Sequence, residues 1–275
     1  MPIDLNSTQT QRLSDVIAAL DGADFGSVLL QFIQSLVPID SAVMMAYPEA
    51  AKLLVLHDEL AAGERGLFDG PYRNGLYLLS PLYVASHAGQ RGYVHISEIA
   101  PEGFTDSEYY ELYYSTNGSI DQVAFLVESG KGTPIALSLE RTEALPPFSD
   151  DEKATLAGMA ELIARLIAKH RWPAGLVEDR TTPQDMNAHL QQVMSMFGAS
   201  TLTPRERDVV RLILRGYPSK SVARELNIST QTEQVHRKNI YQKLGISSHS
   251  ELFTLFFDAI ALPSVDTDPL LILRS

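Results

Sequence analysis

Residues 201–261 carry four helix starts and three helix stops in close succession, and this punctuation constrains the chain more than any other feature. Thr203-Pro204-Arg205-Glu206 sets a capping threonine three residues before a glutamate and puts proline at the first helical position. Val209, Val210, Ile213 and Leu214 form the apolar stripe of that helix, and Gly216 stands where a left-handed residue ends it. Ser219 is placed to cap a second helix that buries Val222, Ala223 and Leu226 and ends at Asn227. After a turn of about three residues, Thr230-Gln231-Thr232-Glu233 predicts another capping box, and its helix runs to Leu244 and stops at Gly245. Ser248-His249-Ser250-Glu251 opens a fourth helix.

Two short helices joined by a tight turn, the second of them basic, predict a helix-turn-helix. The third helix of this segment buries Ile240 and Leu244 and turns Gln234, Arg237, Lys238 and Gln242 the other way. Glutamine reads adenine edges, and arginine or lysine reads guanine or binds phosphate. The start of this helix, with Thr230 and Thr232, suits a phosphate, and Lys220 and Lys243 are placed to reach the backbone. The fourth helix has two apolar stripes. Leu252, Leu255, Phe256, Ala259 and Ile260 close the domain, while Phe253 and Phe257 are left to meet another surface.

The net charge of −12 argues against nucleic acid only until it is divided along the chain. Residues 1–200 hold 12 basic against 26 acidic side chains, and residues 201–260 hold nine against six. Positive charge is concentrated where phosphates would be met. There are no cysteines, which excludes disulfides, thiolate nucleophiles and cysteine-ligated zinc. No apolar run is long enough to span a bilayer and the first residues do not read as an export signal, so a cytoplasmic location is expected.

The first 171 residues read as an α+β domain, an antiparallel sheet flanked by helices. Helices are expected at 8–20 and 23–37, the second ended by Pro38. Strands are expected at 42–47, 52–57, about 93–96, 120–128 and 134–141, with Ser129-Gly130-Lys131-Gly132 joining the last two. Thr105 and Glu108 are spaced as a capping box for a helix over 105–116, and Ser149 and Glu152 for a long helix to about His170. Residues 61–91 are rich in glycine and tyrosine. Residues 172–199 read as a linker with one helix at 184–197, residues 200–262 as the all-α DNA-binding domain, and 263–275 as a tail in which Leu270–Leu273 docks nearby.

No nucleophile–base constellation, phosphate-binding glycine loop or phospho-acceptor pattern is present, so no catalytic residue is assigned and the chain does not read as an enzyme. His57, His87, His95, His170 and His189 lack ligand spacing, so no metal or cofactor is expected.

Two resemblances sharpen this reading. Leu202-Thr203-Pro204-Arg205-Glu206, Gly216, Lys220 with Val222-Ala223, Leu226-Asn227-Ile228-Ser229, Thr232, His236, Asn239-Ile240, Lys243-Leu244 and Glu251-Leu252 closely resemble the LuxR-type C-terminal helix-turn-helix. The resemblance implies DNA contacts at Gln234, Val235 and Lys238, and a homodimer paired through the fourth helix at Phe253 and Phe257 on double-stranded DNA. The chain departs from that family at Glu233-Gln234, where Val-Lys is common, and at His249, where arginine is usual. The order of elements before residue 171 resembles the GAF/PAS-like sensor fold. Within it, Tyr77-Leu78-Leu79-Ser80-Pro81-Leu82-Tyr83 and Gly132-Thr133-Pro134-Ile135-Ala136-Leu137-Ser138 are weakly similar to the acyl-homoserine-lactone-binding domain of LuxR-type regulators. That likeness puts Ser138 at a pocket hydroxyl position and His95 near a tryptophan position, and it puts Ser80 in place of the aspartate that fixes the ligand amide. A small-molecule effector other than an acyl-homoserine lactone is therefore expected, with Tyr72, Tyr77, Ser80, Tyr83, His95 and Ser138 as candidate contacts. The alternative is an N-terminal module that pairs with protein and takes no ligand.

Overall fold

The computed structural model describes residues 5–48, 53–60, 64–73, 76–129, 132–172, 186–262 and 267–273. Along the chain come α1 (Ser7–Ala18), α2 (Phe25–Leu36), β1 (Ser41–Ala46), β2 (Leu54–Glu59) and a single turn, α3 (Arg65–Leu67). Two irregular turns, Phe68–Tyr72 and Leu76–Leu79, lead to α4 (Pro81–His87), β3 (Gly92–His95) and α5 (Ile96–Ile99). The turn Phe104–Asp106 precedes α6 (Glu108–Tyr110), which widens into a π-type turn at Glu111–Ser115. Then follow β4 (Ser119–Glu128), β5 (Pro134–Thr142), α7 (Asp150–Gly158) and α8 (Ala160–Lys169). The remaining helices are α9 (Met186–Met196), α10 (Pro204–Leu214), α11 (Ser219–Glu225), α12 (Thr230–Leu244), α13 (His249–Ala261) and α14 (Pro269–Leu273). All five expected strands form, and the chain is a mixed α/β N-terminal part followed by an all-α helix-turn-helix.

Two compact units result. One gathers residues 1–66, 81–99 and 117–182, and the other gathers 67–80, 100–116 and 183–275.

The first unit is built on an antiparallel sheet of order β2-β1-β5-β4-β3. The register sets Met44 and Phe125 on either side of Leu137. Ala42, Met44, Val123, Phe125, Leu137 and Leu139 share that face and pack with Phe25, Leu29, Phe32 and Ile33 of α2 and with Leu156, Ile163 and Ile167 of α7 and α8. Each such Val, Leu, Ile, Phe or Met side chain, fully buried, contributes on the order of 2 kcal/mol of transfer free energy. The opposite face is buried as well, with α4 packed against β4 and β5. Burial on both faces fits the apolar run Ala42–Ala46 that makes up β1 after Ser41.

Arg141 fastens β5 to the helical layer. Its guanidinium donates to the Pro38 carbonyl at 3.0 Å, the Pro146 carbonyl at 2.6 Å and Glu152 at 2.8 Å, and lies over the Phe148 ring. Glu152 also completes the capping box with Ser149 that opens α7. The single helix expected from 149 to 170 is interrupted at Met159, whose ψ of −4° separates α7 from α8.

In the second unit α9 packs on α13. Phe197 meets Phe256 edge-on at 5.4 Å, and the His189 ring pairs with the Ile260 carbonyl at 3.0 Å. The helix expected inside the linker thus belongs to the C-terminal bundle, and residues 173–185 lie outside the described residues. Asp268 accepts from the backbone N–H of Gly198 at 3.0 Å and of Ser200 at 2.8 Å, which anchors the tail and buries Leu270. Leu271 and Ile272 remain exposed.

Candidate nucleic-acid interface and sensor face

The helix-turn-helix closes as its caps predict, with two local changes. Thr203 and Glu206 form the full capping box of α10, and Gly216 and Gly245 take positive φ at the ends of α10 and α12. Asn227 takes a left-handed φ of 52° in the turn after α11, a conformation asparagine tolerates because its short side chain can bond locally. The capping box expected from Thr230 is absent. Ser229 caps α12 instead, accepting from the Thr232 N–H at 3.0 Å. Likewise Ser219 does not cap α11, whose flanking residue is Pro218.

Both changes have one cause. Glu233 is fully buried, where it accepts from the Ser219 hydroxyl and from Arg237 Nε at 3.1 Å and Nη2 at 3.0 Å. A carboxylate this deep costs several kcal/mol unless partnered, so it takes the Ser219 hydroxyl and the Arg237 fork in preference to a helix end. Burial pushes the Glu233 carboxyl up, and the Ser219 hydrogen bond works against that push.

The outer face of α12 exposes Thr230, Thr232, Gln234, Val235 and Lys238. Val235 is 57% exposed, an unusual degree for valine and one that fits contact with a thymine methyl group. Gln234, Arg237, Lys238, Tyr241, Gln242, Ile246 and Ser247 line an open concavity along α12. Lys238 makes no ion pair among the described residues, and Lys220 on α11 is exposed. Arg237 is half-buried and pairs with Glu108 as well as Glu233. Lys243 reaches Glu206 at 2.7 Å, which ties α12 to α10. Burial alone would push the Glu206 carboxyl up, but hydrogen bonds from Lys243 and Thr203 and the lysine charge outweigh it and hold the carboxyl below its ordinary value. Lys243 therefore has a structural partner that sequence reading did not supply.

On α13, Phe257 is half-buried, but Phe253 is 1% exposed with its ring 6.5 Å from that of Tyr109. The stripe expected to be spare is thus partly covered within its own unit.

The candidate effector contacts fall into both units. In the second, Tyr72 stacks between Phe68 and Tyr113, Tyr77 lies tilted beside Tyr72, and Ser80 is buried. In the first, Tyr83 packs edge-on against Tyr47 and lies tilted against His87. His95 pairs with Asp121 at 2.7 Å and with the Ser97 hydroxyl at 2.7 Å, a fully partnered ring at the sheet rim.

Ser138 lies in a buried polar patch on the sheet face opposite the main core. Register puts Gln122, Glu140 and Ser41 in one cross-strand row and Ala124, Ser138 and Val43 in the next. Gln122 donates to the Ser138 hydroxyl and to Glu140, each at 2.8 Å, and the Ser41 hydroxyl donates to Glu64 at 2.5 Å. Burial, with the Glu64 carboxylate next, pushes Glu140 up to about 7. Sequence reading reached Ser138 and missed Gln122, Glu140 and Glu64. The signal was that Gln122 and Glu140 fall in phase with Ala124 and Ser138 in the alternation of β4 and β5.

Among the described residues no group of three or more His, Cys, Asp or Glu side chains is placed to hold a metal ion. No helix there is long and apolar enough to cross a membrane.

The family described as bacterial regulatory proteins, luxR family, matches residues 200–256. A putative HTH-type transcriptional regulator in the exeN 3' region of Aeromonas salmonicida is 32% identical over 162 residues, covering 57% of this chain and 82% of that one. The nitrate/nitrite response regulator protein NarL of Escherichia coli is 46% identical over 50 residues, 18% of this chain and 23% of NarL. Among solved structures, the VqsR LBD domain from Pseudomonas aeruginosa matches with a TM-score of 0.52 and 25% identity, over 60% of this chain and 96% of that domain. The expectation of a GAF/PAS-like sensor is corrected accordingly. It rested on element order, which many α+β sensors share, whereas the likeness found is to the VqsR LBD domain and not specifically to GAF/PAS.

Proposed function

Since this chain belongs to the LuxR family of bacterial regulatory proteins and is a DNA-binding transcriptional regulator, not an enzyme, we propose that its N-terminal domain senses a small molecule and thereby controls how α12 is presented to DNA. The observation that carries the proposal is the patch of Ser41, Glu64, Gln122, Ser138 and Glu140, every member nine-tenths or more buried, on a sheet face whose neighbours Ala124 and Ala136 are small. Buried carboxylates and an amide favour a ligand that brings hydrogen-bond donors or positive charge. Ser80 offers no charged acceptor to a ligand amide, which argues against an acyl-homoserine lactone. The effector contacts proposed within the first unit are Ser138, Tyr83 and His95, while Tyr72, Tyr77 and Ser80, which fall in the other unit, are proposed on the family resemblance alone.

On the output side Gln234, Val235 and Lys238 read bases. Lys220, Thr230, Thr232 and Arg237 meet phosphates, and Lys243 lies beside them. The regulator acts in the cytoplasm as a homodimer on paired half-sites, joined through α13 at Phe257 and, once uncovered, Phe253.

Thermal-shift screening of the full chain against a metabolite panel, weighted towards amines and polyols, tests the sensor. A stabilising compound whose effect is lost in Ser138→Val and Gln122→Leu is the expected result. A panel without effect, together with a patch fully occupied by its own side chains in a crystal structure, would favour a ligand-free interaction module.

A further inference from the structure

Residues 100–116 carry four acidic side chains, Glu102, Asp106, Glu108 and Glu111, and no basic one. They belong to the same compact unit as the helix-turn-helix and touch each of its working helices. Glu108 pairs with Arg237 of α12, with both side chains under one-fifth exposed. Glu102 pairs with Arg224 of α11 at 2.7 Å, and its carbonyl accepts from the Ser221 hydroxyl at 2.8 Å. Glu111 lies 3.5 Å from His249 of α13.

Apolar contacts seat the segment between these pairs. Phe104 packs so closely over Gly216 that a Cβ there would lie 3.0 Å from its ring, and Gly103, at a φ of 75°, lets the backbone approach Pro218. Tyr109, fully buried, covers Phe253.

We infer that residues 100–116 are an intramolecular competitor of DNA, an acidic latch whose carboxylates occupy Arg224 and Arg237 in place of phosphates and whose Tyr109 covers the aromatic face of α13. The inference rests on the reading of α12 as the DNA-reading helix. Three observations support it. The segment offers negative charge alone, to a surface whose function is to bind negative charge. Its contacts fall on an arginine of the recognition helix and one of the helix before it. The latch is also poised to release: Glu108 Oε2 is buried with no hydrogen-bond partner among the described residues, a cost that the closed state carries and the open state does not.

Exposed pairs such as Glu102 with Arg224 contribute little alone. The half-buried pair of Glu108 with Arg237 and the Phe104–Gly216 contact are the main holds. A closed fraction lowers the apparent DNA affinity in proportion to the open population. Opening exposes Arg237 and Phe253 together, which couples DNA reading to the apolar surface on α13.

The test uses the full chain and a mixed-sequence duplex at low salt, read by fluorescence anisotropy and by hydrogen exchange. Glu102→Gln/Glu108→Gln should bind the duplex about tenfold more tightly than the wild type, and adding Lys238→Ala to either protein should weaken its binding by a similar factor. In the wild type, adding DNA should protect α12 while exchange over residues 104–115 speeds up. This second measurement does not depend on the variant folding. Equal affinity of variant and wild type, or protection of α12 with unchanged exchange over 104–115, overturns the latch and leaves α12 as the reading helix. If DNA protects another surface and Lys238→Ala changes nothing, the placement of α12 fails, and the latch fails with it.

Discussion

Glu233 and Arg237, one turn apart on α12, form a buried fork in which Glu233 Oε1 lies 3.1 Å from Arg237 Nε and 3.0 Å from Nη2. The Glu233 end of the fork is buried and also engages Ser219 of α11, so it fixes the angle between the two helices of the DNA-binding motif, while Nη1 of Arg237 is left to Glu108. Glu233→Ala leaves the guanidinium half-buried without this partner and removes the acceptor for Ser219. We expect a loss of about 3 kcal/mol in unfolding free energy, measured by urea titration, and weaker DNA binding because α12 is no longer held. Glu233→Gln keeps the shape and should recover part of the loss. Wild-type stability in Glu233→Ala would show that the fork does not hold the motif together.

Lys238 and Lys243 lie five residues apart on the same helix and should behave differently. Lys238→Ala is expected to cost on the order of 1–3 kcal/mol of DNA affinity with altered sequence preference. Lys243→Met should chiefly lower stability, because its charge is committed to Glu206. Anisotropy titrations over a salt series, paired with melting curves, separate the two. A larger loss of DNA affinity in Lys243→Met than in Lys238→Ala would reverse the assignment.

Glu206 makes a specific prediction for acid. Its folded pKa lies below the unfolded value of 4.5, so its contribution is fully present above pH 4.5 and is lost as pH falls through the lower folded value. Glu206→Gln should flatten the acid limb of the stability curve below about pH 4.5 and lower the plateau above it. Denaturant midpoints across an acidic pH series, with wild type alongside, give the comparison.

Glu140 has the opposite sign. Its pKa rises from 4.5 to about 7 on folding, so the folded state holds the proton more tightly, and stability from this group falls as pH rises from about 4.5 to about 7. A shift of that size corresponds to about 3 kcal/mol across the window. Glu140→Gln keeps a hydrogen-bonding partner for Gln122 without the charge, and should be more stable than the wild type above pH 7 and similar to it at pH 4.5. Parallel curves for the two proteins would show that Glu140 does not titrate in this range.

Much of the C-terminal architecture was legible because helix ends are local events. Thr203 with Glu206, Gly216, Asn227 and Gly245 act through their own backbones within a few residues, so spacing alone located them. The strands were legible for a similar reason: alternation in Pro134–Thr142 and the apolar run in Ala42–Ala46 follow from pleat and burial. Where spacing misled, as at Thr230 and Glu233, a distant partner outbid the local one. Capping by Thr230 required Glu233 to stay at the helix end, and burial beside Ser219 and Arg237 drew it inward.

The sequence by itself determined that this chain ends in a capped, basic helix-turn-helix and that an antiparallel α+β domain precedes it, since caps, turns and alternation are properties of neighbouring residues. Tertiary structure alone decided that Gln122, Glu140, Ser138, Ser41 and Glu64 meet on one sheet face, and that Glu108 reaches Arg237 across 129 positions of chain. The physical reason is range. A hydrogen bond to one's own helix is fixed by spacing, whereas a buried charge takes its partner from whatever the fold brings beside it.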